Sequence, residues 1–158
     1  MANKKEEQAC LAIALKYDND FNKIMEQIVR WNGELHINSE EIIKFTKDVE
    51  EKYVVLFSDN YPKYFRESDE PPFALFYEGN LNLFNYNGAT FENPLDSDKE
   101  FYLAVSQDGE KEVDWCIAVT HEEDLLPVIN RFLSDFEGEL YFKKYANKDE
   151  LSLSLIHI

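Results

Sequence analysis

The chain has 158 residues, a formal net charge of −16 and a hydrophobic content of 44%, which allows one ordinary domain or two small ones. Its aromatic content of 15% argues against disorder, because large rings supply the burial that offsets chain entropy. The charge disfavours nucleic acid and anionic membranes as direct partners, since both bind through clustered Lys and Arg. The densest basic cluster is only Lys143, Lys144 and Lys148.

Residues 1–52 are predicted to form a helical unit that begins with a helix over residues 6–17. The second helix has the clearer pattern, because its apolar residues recur at helical spacing. These residues are Phe21, Ile24, Met25, Ile28 and Val29. Asn32-Gly33 is expected to end this helix, since glycine accepts the left-handed conformation that follows a last helical turn.

A third helix is predicted to begin at Asn38, which is a good N-cap with Glu41 three residues further on. Its inward side is expected to carry Ile42, Phe45 and Val49. We interpret the three helices together as a packing module.

Residues 53–84 are predicted to form a strand, a loop and a second strand. The apolar run at 53–57 is typical of a buried strand, and Pro71-Pro72 favours extended geometry just before the strand at 73–80. Tyr61-Pro62 is expected to start a short helical turn in the loop. Gly79 is expected to turn the chain where the second strand ends.

Residues 85–99 are rich in turn-forming residues and are predicted to be a loop or linker. Strands at 101–106 and 113–119 follow, and Asp108-Gly109 between them is a hairpin signature. The second strand alternates Trp115 and Ile117 on one face with Cys116 on the other. We interpret Cys116 as a buried structural thiol, because a reactive thiol needs an electropositive setting.

The next predicted element is a helix whose inward face carries five apolar residues. They are Leu125, Ile129, Phe132, Leu133 and Phe136. Two starts remain open: a capping box of Thr120 and Glu123, or a start near Asp124 that places Pro127 in the first turn. A strand at 139–144 is expected after this helix.

The predicted fold class is α+β, with an N-terminal helical unit followed by a small mixed sheet and a β-β-α-β segment over residues 100–150. The last six residues, LSLIHI, resemble the translation of a sequencing-library adapter. We therefore expect residues 151–158 to be a non-native tail and the natural C-terminus to lie elsewhere.

Glycine and histidine spacing excludes the common catalytic motifs. The five glycines are never closer than nine positions, whereas dinucleotide and phosphate loops need clustered glycines. His36, His121 and His157 have no partner at metal-ligand spacing. The acidic run after His121 is interpreted as a solvated helix N-terminus, because successive helical residues point in different directions. We expect no catalytic, cofactor or metal residues, no small-molecule substrate and no enzyme activity.

Cysteine usage and hydropathy predict a cytoplasmic protein. Cys10 and Cys116 lie far apart in apolar surroundings, which is not the pattern of a disulfide framework. No apolar run approaches the roughly 18 residues of a membrane span. The apolar run at residues 9–15 is too short for a secretory signal and has no small-residue cleavage site after it.

Residues 53–84 carry the frame D-x-YP…PP-x-x-L-F-Y-x-G-N-L-x-L. Its members are Asp59, Tyr61, Pro62, Pro71, Pro72, Leu75, Phe76, Tyr77, Gly79, Asn80, Leu81 and Leu83. This frame, with the helical stretch before it, resembles the opening of the DNA-processing protein A (DprA/Smf) family and covers about half the chain. In that family the segment leads into an extended Rossmann fold. A Gly-Ser-Arg motif there binds single-stranded DNA, and the protein loads recombinase.

Residues 85–98 contain no Gly-Ser-Arg motif. The resemblance therefore implies a non-catalytic DprA-like protein that acts by contact with another protein, in DNA processing or on a mobile element, with no direct nucleic-acid binding. The alternative is an acidic phage-type anti-defence inhibitor that mimics nucleic acid. Its acidic face would comprise Asp96, Asp98, Glu100, Glu110, Glu112, Asp114, Glu122, Glu123 and Asp124. A third interpretation is that the chain is the product of a defective gene fragment and has no function.

Overall fold

The computed structural model describes residues 4–33, 37–85, 89–92, 100–106 and 115–135. The chain divides into two compact units, residues 1–76 and residues 77–158. The fold is α+β, as the sequence predicts: helices come first, then an antiparallel sheet, then a helix. None of the helices within these ranges combines the length and the hydropathy that a membrane span requires.

Three helices open the first unit: α1 (Lys4–Lys16), α2 (Phe21–Arg30) and α3 (Ser39–Thr46). Five consecutive residues of α1 are at most 2% exposed. They are Cys10, Leu11, Ala12, Ile13 and Ala14. A buried run of this length covers every side of the helix, so α1 is the centre of the unit rather than a surface helix.

Local capping explains where α2 and α3 lie. The Asn38 side chain accepts a hydrogen bond of 2.8 Å from the Glu41 amide, which confirms the predicted N-cap of α3. After α2, Asn32 and Gly33 both have positive φ, and the Gly33 amide donates to the Ile28 carbonyl at 2.8 Å. The predicted glycine end is thus confirmed, with Asn32 sharing the left-handed conformation.

The apolar pattern of α2 predicts more buried residues than the structure shows. Ile24 is fully buried, and Phe21 packs against Phe73 with ring centroids 5.9 Å apart. Val29, however, is 72% exposed, although it lies at helical spacing with the others. Helical spacing places a residue near an apolar stripe, but only the neighbouring elements decide how much of that stripe is covered.

Two strands and a short helix complete the first unit: β1 (Tyr53–Val55), α4 (Lys63–Arg66) and β2 (Ala74–Gly79), which crosses into the second unit. β1 pairs antiparallel with β2, with Tyr53 opposite Phe76. The predicted helical turn after Tyr61-Pro62 is confirmed as α4. The strand predicted at 53–57 ends early, because the Ser58 amide donates to the Val55 carbonyl at 2.9 Å and turns the chain.

The second unit contains a short 3-10 helix (Leu81–Asn85) and three strands: β3 (Ala89–Glu92), β4 (Phe101–Ser106) and β5 (Trp115–Val119). The strand order there is β2-β5-β4-β3. β4 and β5 pair antiparallel, as the hairpin prediction requires, with Val105 opposite Trp115. The three strand pairs with a described register are all antiparallel, so they do not include the parallel pair of a mixed sheet.

The prediction of a loop or linker over 85–99 is wrong for residues 89–92, which form β3. This strand pairs along its whole length with β4, from Ala89 opposite Ser106 to Glu92 opposite Leu103. Because turn-forming residues flank this four-residue strand, the sequence of the segment is typical of a loop. Pairing with a partner strand decides its conformation, because strand preference depends on context.

The last described helix is α5 (Glu122–Asp135). Its start lies between the two predicted alternatives, and Pro127 falls inside the helix rather than in its first turn. Proline there cannot donate the ladder bond to the Glu123 carbonyl. Leu125 and Ile129 are buried, as predicted. The side chains of residues 132–135, the strand predicted at 139–144 and the tail at 151–158 lie outside the described residues.

Candidate protein-contact surface

The His, Cys and acidic side chains in the described part of the chain show no metal-binding arrangement. Within these ranges no group of three or more His, Cys, Asp or Glu side chains could hold a metal ion. His121 is half-buried in the turn before α5. His36 and His157 lie outside the described residues.

Both cysteines are buried in the core, and neither forms a disulfide. Cys10 on α1 and Cys116 on β5 are each 0% exposed, so the predicted burial of Cys116 is confirmed. Burial raises the pKa of the Cys10 thiol to about 12, and the nearby Glu7 carboxylate adds to the rise. A buried thiol held neutral in this way is a poor nucleophile, because the thiolate is the reactive form.

The Cys10 pKa predicts alkaline loss of stability. The folded-state pKa is raised, so the contribution of Cys10 is complete below the unfolded pKa of about 8.5 and is lost as the pH rises toward 12. In that window the unfolding free energy should fall by about 1.4 kcal/mol per pH unit more in the wild type than in Cys10→Ala. Urea unfolding at pH 8 to 10 tests this, and parallel pH slopes would contradict it.

The loop between β1 and β2 is built around Tyr61. This side chain is 2% exposed, and its hydroxyl donates a hydrogen bond of 2.7 Å to the Pro72 carbonyl. The bond joins the Tyr61-Pro62 pair to the Pro71-Pro72 pair across the loop. Phe65 on α4 lies with its ring edge toward Tyr61, 6.4 Å between centroids, and is also buried. Tyr61 and Pro72 therefore hold the two sides of the loop together through a buried hydrogen bond.

Arg66 fixes the same loop from outside. One guanidinium nitrogen of Arg66 donates to the Ser58 carbonyl at 2.8 Å and to the Leu56 carbonyl at 3.2 Å. The guanidinium also lies over the Tyr61 ring, 5.5 Å from its centroid. The two accepting carbonyls flank Phe57, so Arg66 ties the backbone on both sides of that residue to α4.

Asn19 and Ser58 hold the ends of the loop. The Asn19 side-chain oxygen accepts hydrogen bonds from the amides of Phe73 and Ala74 at 3.0 and 3.1 Å, and its nitrogen donates to the Ala74 carbonyl at 2.8 Å. The Ser58 hydroxyl donates to a Glu7 carboxylate oxygen at 3.1 Å. The loop between β1 and β2 is thereby anchored to the helices of the same unit.

Two aromatic side chains remain half-exposed on this anchored loop, Phe57 at 50% and Tyr64 at 47%. The Phe57 ring packs edge-on against Phe73, 6.1 Å between centroids, and the Tyr64 ring packs edge-on against Phe65 at 5.1 Å. Each ring thus packs against a buried phenylalanine and still remains about half-exposed. We call Phe57 and Tyr64, with the loop that carries them, the aromatic loop surface.

Sequence reasoning missed this surface. The run at 53–57 predicts a buried strand, and Phe57 would then be a core residue. The signal that could have identified it is the stretch Ser58-Asp59-Asn60, since a turn directly after an aromatic residue can end the strand before it.

The frame residues from Tyr77 onward belong to the second unit. Leu81 and Leu83 are 8% and 4% exposed, and the Asn80 amide donates to the Trp115 carbonyl at 3.0 Å. Gly79 has a φ of +100°, as its predicted turning role requires. These residues have structural roles, whereas the half-exposed rings of Phe57 and Tyr64 lie earlier in the segment 53–84.

The described residues contain only part of the predicted acidic face. Glu100 and Glu123 are exposed and Glu122 is half-buried, but Asp124 is only 8% exposed and does not belong to a solvent-facing row. The other predicted members lie outside the described ranges: Asp96, Asp98, Glu110, Glu112 and Asp114.

Comparisons with protein-family models, with curated proteins and with solved structures found no match to this chain.

Proposed function

We propose that this chain is a non-catalytic, DprA-like protein that acts by protein–protein contact, in DNA processing or on a mobile element. The observation that carries the proposal is the aromatic loop surface, with Phe57 and Tyr64 each about half-exposed in an anchored loop. Aromatic residues are enriched at protein interfaces, where a few of them supply most of the binding energy.

The fixed conformation of the loop before binding supports the same proposal. The Arg66, Tyr61 and Asn19 side chains already fix the loop backbone in the free protein. Binding through such a loop loses little conformational entropy, because the loop is ordered before the partner arrives. An anchored loop that leaves two rings half-exposed is suited to binding a partner.

The process and the compartment are proposed on sequence grounds. The frame over residues 53–84 supports DNA processing through its resemblance to the DprA family. Two buried thiols that form no disulfide support a reducing compartment, so we propose that the protein acts in the cytoplasm. The net charge of −16 supports a protein rather than a nucleic acid as the direct partner.

Replacing both rings with serine, Phe57→Ser with Tyr64→Ser, is expected to weaken partner binding by about tenfold or more, because interface aromatics dominate binding energy. The full chain is used as bait in a lysate of its host, and a retained protein is purified and titrated by calorimetry. Val29→Ser is the matched control, since Val29 is also an exposed apolar residue of the first unit.

The proposal stands if one retained protein binds the wild type and the Val29→Ser variant but not the double variant. It fails if the double variant binds as well as the wild type. It also fails if a labelled single-stranded oligonucleotide binds the purified chain tightly in an anisotropy titration, because direct nucleic-acid binding would then be the activity.

A further inference from the structure

One face of α3 is exposed and combines charged and apolar side chains. Its members are Glu40, Ile43, Lys44 and Lys47. They lie at i, i+3, i+4 and i+7, the spacing of one helix face. Ile43 is 62% exposed and is the apolar residue at the middle of this charged face.

The other side of α3 is already occupied by α1. The Gln8 side chain donates to the Thr46 hydroxyl at 3.1 Å, and Lys16 pairs with Glu41 at 2.6 Å. These contacts fix the rotation of α3 about its own axis. In the described part of the chain neither Glu40 nor Lys47 has an ion-pair partner.

The exposed face is complementary to itself. Glu40 and Lys47 lie at equal distances on either side of the Ile43-Lys44 step, one with a negative charge and the other with a positive charge. If a second α3 packs antiparallel on this face, Glu40 of each copy meets Lys47 of the other. Ile43 then meets the aliphatic stem of Lys44. A two-fold symmetric contact needs this kind of pattern.

We propose that a second copy of this chain docks on this face and forms a symmetric dimer through an antiparallel α3 pair. The charge complementarity of the face with itself favours this contact independently of the proposed function. One face of an eight-residue helix is far smaller than the roughly 1,200 Å² of a stable specific interface. The dimer is therefore weak and in rapid exchange with monomer.

Sedimentation velocity of the full chain at increasing concentration, near 0.15 M ionic strength, tests the dimer. At that ionic strength the Debye length is about 8 Å, so the net charge of each copy is largely screened while close pairs persist. The wild type is expected to shift toward dimer as its concentration rises to the millimolar range. Ile43→Ser is expected to remove the shift.

Charge exchange is the sharper test. Glu40→Lys alone and Lys47→Glu alone each place like charges opposite each other, and each is expected to weaken dimerisation by about tenfold. An equimolar mixture of the two variants restores both opposite-charge contacts, so the mixture should dimerise again. Glu26→Lys and Lys23→Glu on the exposed side of α2 are the matched controls, and they should leave dimerisation unchanged.

Three results would overturn the proposal. The first is a wild type that stays monomeric at every concentration. The second is a mixture of Glu40→Lys and Lys47→Glu that shows no recovery. The third is a dimer that is lost in the Phe57→Ser, Tyr64→Ser variant, because the interface would then be the aromatic loop surface. The first two results do not bear on whether the aromatic loop surface binds another protein, whereas the third would make that surface a contact between two copies of the chain.

Discussion

Replacing Gly79 with alanine is expected to lower the free energy of unfolding by about 3 kcal/mol, from left-handed strain and overpacking combined. A Cβ at this position would lie 2.2 Å from the Trp115 carbonyl oxygen and 3.0 Å from the Cys116 Cα. The strand cannot simply move away, since the Asn80 amide is bound to the same carbonyl at 3.0 Å. The φ of +100° adds strain for any side chain.

Gly33→Ala is the matched control for this prediction. Gly33 also has a positive φ, +85°, but nothing lies within 4 Å of its added Cβ. Gly33→Ala should therefore lower the free energy of unfolding by only about 1 kcal/mol, which is the cost of placing alanine in the left-handed conformation. Urea unfolding of both variants gives the comparison. Equal losses of unfolding free energy in the two variants would show that the close approach of Gly79 to β5 adds nothing to the cost of the Gly79 substitution.

Asn19→Ala is expected to destabilise the first unit by about 3 kcal/mol, because the amides of Phe73 and Ala74 lose their acceptor and each partly buried unpaired group costs about 1 to 3 kcal/mol. Asn19 also has a φ of +57°, a conformation that asparagine tolerates better than alanine does. The loss of stability in Asn19→Ala should be measurable as faster amide hydrogen exchange at the start of β2.

Two variants separate the causes. Asn19→Gly removes the conformational strain but not the loss of hydrogen bonds, so it should recover about 1 kcal/mol of the Asn19→Ala loss. Asn19→Asp keeps the acceptor for both amides and loses the donor to the Ala74 carbonyl, so it should lie between Asn19→Ala and the wild type. If Asn19→Gly restored full stability, the hydrogen bonds would be unimportant.

Elements with local causes could be predicted from the sequence. The N-cap of α3 depends on Asn38 and an amide three residues away, and the predicted cap is present. The bounds of β4 match the prediction because alternation along one strand is also local. The sequence does not predict β3, since turn-forming residues flank its four residues and its conformation depends on pairing with β4.

The turn at Ser58-Asp59-Asn60 indicates where the strand ends, but the rest of the aromatic loop surface could not be predicted, for the same physical reason as β3. Its geometry depends on bonds between residues that the path of the chain brings together, such as Tyr61 with Pro72 and Arg66 with Ser58. Nothing in the residue types requires these pairs. Phe57 was assigned to a strand because an apolar run does not show where its last residue leaves the sheet.

The salt dependence of partner binding tests most directly whether this chain acts by protein contact through exposed rings. The dissociation constant of the purified partner is measured from about 0.05 M to about 0.5 M salt. Contact through Phe57 and Tyr64 predicts a change of less than about threefold, because apolar burial is not screened. A steep loss of affinity with rising salt would contradict the account and would identify the acidic inhibitor instead.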